Sequence, residues 1–178
     1  MALSKIDVAN MLTGVTPVAN GGTALSSGFN NGRIVQTKME GNYNWSGDAS
    51  SNSTTFASFG NALTITPSSS SNALMFHMSI TDCYAAAQEG IEVTIYDETN
   101  STYVNGAEGR APRLHLDNIG GGINMGVNFF SILETAGSGS RTYKGYYRSA
   151  QSGETVYINN AGSGGSVRFC VMEVVKDD

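Results

Sequence analysis

Few side chains in this sequence have the type and spacing for chemistry. There are two histidines, His77 and His115. His115 sits in LHLD two residues before Asp117, so on a strand both project from the same face. A zinc site takes three or four ligands. Two make a surface histidine beside an aspartate, and no metal is expected. Polysaccharide-cutting enzymes need a pair of carboxylates. Glu89 and Glu92 flank the start of a strand candidate, and Asp97 and Glu98 lie at its end. Solvated loop charges are ordinary in all these places. No G-x-S-x-G elbow, H-E-x-x-H pair or P-loop is present. The GGG at 120–122 precedes a strand rather than a helix, so it offers no helix N-terminus to a phosphate. The expectation is a protein that is not an enzyme and carries no cofactor. A glycan-degrading enzyme is the reading from another class, and release of reducing sugar would reveal it.

Aromatic residues offer a different chemistry. Tyr43 and Trp45 in the YNW stretch, and the tyrosines of YKGYY at 143–147, have apolar bodies with polar handles that stack on sugar rings or partners. On a strand, Tyr143, Gly145 and Tyr147 share one face, while Lys144 and Tyr146 share the other. Tyr43, Trp45 and Tyr146 are therefore the candidate contacts for a host surface glycan. The competing reading is that these aromatics cover the edge of the protein's own sheets.

The totals narrow the partners. Of 178 residues only 14% are charged, and 22 are glycine. Ser, Thr, Asn and Gly fill the gap, a composition that can suggest disorder, but 40% of residues are hydrophobic, with eight tyrosines, seven phenylalanines and one tryptophan, so the chain folds. A body of about 150 residues buries roughly 70% of its extended surface and needs no staple. The net charge of -5 argues against nucleic acid, which demands a basic patch. No apolar run is long enough to span a membrane. MALSKIDVAN lacks the basic start and apolar stretch of a secretory signal, so folding in a cytoplasm is expected. There Cys83 and Cys170 are most simply free thiols.

The elements follow from periodicity. LSKIDVANML at 3–12 has helical spacing but is too short to stand alone. Gly14, Pro17 and Gly21–Gly22 keep the next residues extended or turning. From residue 32 the period becomes two. Strand candidates are 33–40, 54–59, 61–67, 73–81, 91–97, 113–117, 123–134, 141–149, 155–159 and 166–175, parted by Gly, Ser and Asn turns. Residues 41–53 read as a polar loop. Eight to ten strands at this spacing predict an all-β protein, an antiparallel jelly-roll β-sandwich over 32–178, preceded by an extended N-terminal arm at 1–31.

The closing strand is apolar on both sides. Val167, Phe169 and Val171 form one face, and Cys170, Met172 and Val174 the other. A strand of this kind is covered on both sides. On 73–81, Leu74, Phe76, Met78 and Ile80 point one way and Met75, His77 and Ser79 the other. Met75, His77, Cys170, Met172 and Val174 are the expected oligomer interface, with a covering loop as the alternative.

Residues 15–28, VTPVANGGTALSSG, closely resemble the P-V-A-N-G-G-T element of tail fibres and related structural proteins of tailed bacteriophages. LTITPSSSSNALMFHMSI resembles a strand, turn and strand of small β-sandwich modules in virion proteins. TVYINNAGSGGSVRFCVMEV is similar to their closing hairpin. The three matches cover roughly a third of the chain. The resemblance implies a virion structural protein that assembles as a homotrimer in the bacterial host, with no catalytic residues. In long fibres the element lies between shaft segments, whereas here it falls close to the first residue. The expectation is thus a small subunit that decorates or cements the capsid by binding the major capsid protein or other virion proteins. A fibre or appendage tip that binds a host glycan is the alternative. The opening segment is then an anchoring arm whose backbone and apolar pegs, Val15, Val18 and Leu25 along with Pro17 and Asn20, gain contacts only against a partner.

Overall fold

The computed structural model describes residues 33–39, 49–85, 90–104, 113–114, 123–133, 135–158 and 166–176. The arm residues Val15, Pro17, Val18, Asn20 and Leu25, the expected helix at 3–12, Tyr43, Trp45 and His115 lie outside them.

Every regular element among the described residues is a strand. In chain order they are β1 (Ile34–Met39), β2 (Ala49–Ser51), β3 (Ala57–Ile65), β4 (Ala73–Ala85), β5 (Ile91–Asp97), β6 (Thr102–Tyr103), β7 (Arg113–Leu114), β8 (Ile123–Leu133), β9 (Arg141–Ser149), β10 (Val156–Ile158) and β11 (Val167–Val174). This is more than the eight to ten expected. Residues 49–51, expected in a polar loop, form a short strand on β10, and Thr102–Tyr103 folds back on β5. Conversely, the two candidates at 54–59 and 61–67 are one strand, β3, with a register shift between Phe59 and Leu63.

The strands form two antiparallel sheets, compatible with a β-sandwich. The first is organised by β4. One flank of β4 pairs with β8 from Leu74 to Ala85. Its other flank carries β11 opposite residues 73–80 and β10 opposite 83–85. Outside these lie β1 on β11 and β2 on β10. In the second sheet β9 lies between β3 and β5, and β6 and β7 pair with the far side of β5.

Alternation explains the core. Leu74, Phe76, Met78 and Ile80 of β4, Ile91, Val93 and Ile95 of β5, Tyr143 and Tyr147 of β9, and Val167, Phe169 and Val171 of β11 are all buried in one cluster. A register shift between Ile80 and Cys83 reverses the parity of β4. Cys83 and Ala85 therefore turn inward where strict alternation would send them out. Burial, and then the charge of Asp82, push the Cys83 thiol up to about 12, so it is inert at neutral pH. Gly145 leaves room for the Phe59 ring of its own sheet and for Met78 of the other. A Cβ there would lie 2.7 Å from Phe59 Cζ and 3.0 Å from Met78 Cε.

One buried charge has a defined role. Glu173 is fully buried at the core edge. Its carboxylate accepts hydrogen bonds from the Ser68 and Ser69 amides, the Ser68 hydroxyl, Asn72 Nδ2 at 2.6 Å and Gln36 Nε2 at 2.7 Å. Burial alone would raise its pKa. The bonds from Gln36, Ser68 and Asn72 outweigh that and hold it at about 2. The TPSSSSN turn is thus folded around a carboxylate, tying the β3–β4 connection to β11 and β1.

Candidate functional site

The outer faces of the two sheets differ in chemistry. On the first sheet, cross-strand register puts residues in rows that run over β1, β11, β4 and β8. One row is Met39, Cys170, His77 and Phe130. The next is Thr37, Met172, Met75 and Ile132, followed by Ile34, Val174 and Ala73. Beyond the first row lie Arg168, Ser79 and Asn128, which give the face a polar border. The first two rows set Met39, Cys170, Phe130, Met172, Met75 and Ile132 side by side, with Thr37 and His77 among them.

Exposure of the apolar side chains on this face rises toward its edges. Met75, Cys170 and Met172 on the central strands are half-buried by their neighbours, and His77 is exposed. Burial raises the pKa of the Cys170 thiol. Ile34 is 53% exposed, Met39 52% and Phe130 50%, and Val35 and Ile132 are also exposed. Among the described residues these five are all the exposed large hydrophobics, and all belong to the two edge strands β1 and β8. A monomer leaves such patches bare only in modest size, and contiguous ones mark contact surfaces.

The structure therefore brings Met75, His77, Cys170 and Met172 together on one face. Val174 differs. It shares their side of β11 but is only 8% exposed, so its side chain is packed rather than offered. Ile34, Met39, Phe130 and Ile132 were not singled out from the sequence. The signal lay in NFFSIL, which is apolar at both parities, and in the ends of IVQTKM. Among the described residues no three His, Cys, Asp or Glu side chains lie close enough to hold a metal.

The second sheet's outer face is aromatic and charged. Tyr146 on β9 packs on Tyr96 of β5, ring centroids 4.7 Å apart. Tyr96 meets Tyr103 of β6 at 4.9 Å, and Tyr103 meets Phe56 at 5.3 Å. The Arg148 guanidinium lies 4.3 Å above the Phe56 ring and donates from Nε to Glu92 at 2.6 Å. The Tyr146 hydroxyl donates to Glu98 at 3.4 Å. Its pKa is raised by burial and by the Glu98 carboxylate. Tyr146 thus stands at one end of a row of four rings, all half-buried. Glu92, expected to be a solvated loop charge, is instead a buried partner of Arg148.

No protein-family model matches the chain, and no curated protein matches it.

Proposed function

We propose that the chain is a non-enzymatic structural protein of a tailed-phage virion, a trimeric jelly-roll subunit that decorates or cements the capsid and is anchored by its N-terminal arm. The observation that carries this reading is the largely apolar outer face of the first sheet, Ile34, Met39, Met75, Phe130, Ile132 and Met172. A subunit that buries this surface against copies of itself has a reason to keep it apolar.

Strand order supports the jelly-roll part. Setting aside the three-residue β2 and β10, and treating β6 and β7 as one return on β5, leaves eight principal strands. The first pairs with the last (β1 with β11), β3 with β9, β4 with β8, and β5 with its return. A long hairpin rolled up on itself makes that nest of pairs. The PVANGGT segment supports the arm. Three arms on one trimer turn weak contacts into a firm attachment through effective concentration.

The test is to delete residues 2–28. The shortened protein is expected to remain a folded trimer that no longer binds empty capsids or raises their resistance to heat, as the full chain does. Undiminished capsid binding by the shortened protein would remove the arm from the proposal.

The aromatic row on the second sheet favours a second reading, an appendage tip that binds a host surface glycan. That face points away from the proposed trimer contact, and ring faces edged by Glu98 and Arg148 suit a sugar. Binding of the purified protein to host glycans, lost in Tyr96→Ala, is its expected result.

A further inference from the structure

The first strand completes a sheet without entering the core. Of the β1 side chains only Gln36 is half-buried, and the rest are exposed. Among the described residues β1 pairs with β11 alone. Lifting it away would therefore leave the core cluster whole, but it would bare the backbone edge of β11, which then needs another strand. The seat for that strand is keyed. Gln36 Nε2 donates to the Glu173 carboxylate and to the Thr66 carbonyl, each at 2.7 Å. The Val175 amide donates to the Arg33 carbonyl at 3.0 Å. The strand that fits this seat has the sequence of β1, from its own chain or from a second copy.

The connection allows either source. Met39 lies opposite Cys170, whose partner on β4 is His77, and Ala49 lies opposite Ile158, whose partner on β4 is Cys83. Within one chain the two ends are thus about 20 Å apart along β4. The ten peptide links from residue 39 to residue 49 reach about 33–36 Å when extended. The surplus of about 13–16 Å means that the connection does not tie β1 to β11 of its own chain.

We propose that in the trimer β1 is exchanged, each copy laying its β1 on β11 of the next copy. This rests on the trimeric reading above. The same side chains and ladder bonds re-form in the exchanged seat, so the swap costs little in contacts. Head-to-tail exchange is a heterologous contact that closes into a ring. A neighbour held on the apolar face supplies the strand at high effective concentration. Exchange also seats the root of each arm on an adjacent subunit, so an arm cannot be pulled from the particle without opening the trimer.

The register provides the test, because position 39 faces the native Cys170 across the ladder. The full-length Met39→Cys variant is first sized by light scattering. It is then oxidised, or in parallel bridged with a short bismaleimide, and run on a denaturing gel without reductant. Cys83 is buried and stays silent. The expected result is a trimer in solution that gives covalent dimers and trimers, with peptide mapping locating a 39–170 link. A trimer in which 39 and 170 are bridged within single chains overturns the exchange and leaves the trimer standing. A trimer that neither reagent bridges overturns it too, since β1 would then not lie on β11. A monomer, in the unaltered protein sized alongside as in the variant, overturns the trimeric reading itself, and the exchange with it.

Discussion

The two outer faces are built by similar strands and finished in opposite ways. On the second sheet each ring lies on another ring, and Arg148 has both Glu92 and Phe56, so the face is largely satisfied within one chain. On the first sheet most of the side chains are Met, Ile, Phe and Cys, with Thr37 and His77 among them, and the most exposed apolar ones sit on the edge strands β1 and β8. A face finished internally tolerates water. An apolar face that continues to the edges of its sheet gains by removing water from them. The contrast is what the proposed trimer contact rests on.

The sharpest way to break the contrast is to put a charge on each face. Met172→Asp places an uncompensated carboxylate at the centre of the proposed contact, a cost of about 3–5 kcal/mol when buried. Light scattering is expected to show monomers that keep the all-β circular dichroism spectrum. Tyr146→Asp on the other sheet is expected to leave the trimer mass unchanged. If both variants remain trimers, the apolar face is not the contact. Val174 is a poorer probe, because its burial would confuse unfolding with dissociation.

A smaller effect is expected where the TPSSSSN turn meets the first sheet. Glu173→Gln removes the charge that Ser68, Ser69, Asn72 and Gln36 hold, and should lower stability by about 1–3 kcal/mol at neutral pH. The sign of its pH dependence follows from the lowered pKa. Glu173 contributes fully above the ordinary value of 4.5, and the contribution fades as pH falls through about 2. Denaturant melts from pH 6 to pH 2 should therefore converge for the wild type and the variant. A gap that widens in acid would contradict the buried-anion account.

The smallest effect belongs to the internally finished face. Tyr96→Ala removes two ring contacts, with Tyr103 and Tyr146, and should cost about 1–2 kcal/mol in thermal or denaturant melts. Assembly should not change. A loss of trimers in this variant would mean that the second sheet also contacts another copy.

Much of the pattern was legible in the residues. Period-two alternation in ALMFHMSI separates the core row Leu74, Phe76, Met78 and Ile80 from Met75 and His77. YKGYY likewise divides Tyr143 and Tyr147 from Tyr146. The share held by β1 and β8 was not legible, because alternation gives the side a residue faces and not the strand beside it. Cys83 shows the same limit, since its inward turn depends on a bulge between β4 and β8.

The sequence by itself determined that the chain makes strands, which side of most strands is apolar, and that Gly, Ser and Asn end them. These are local properties, set by backbone sterics and a two-residue period. Only the tertiary structure decided that Met39, Cys170, His77 and Phe130 form one row, that Glu173 closes on the TPSSSSN turn, and that β1 stands outside the core. Each of these joins residues far apart in the chain, and hydrogen-bonded register between strands, which no local pattern encodes, fixes how they meet.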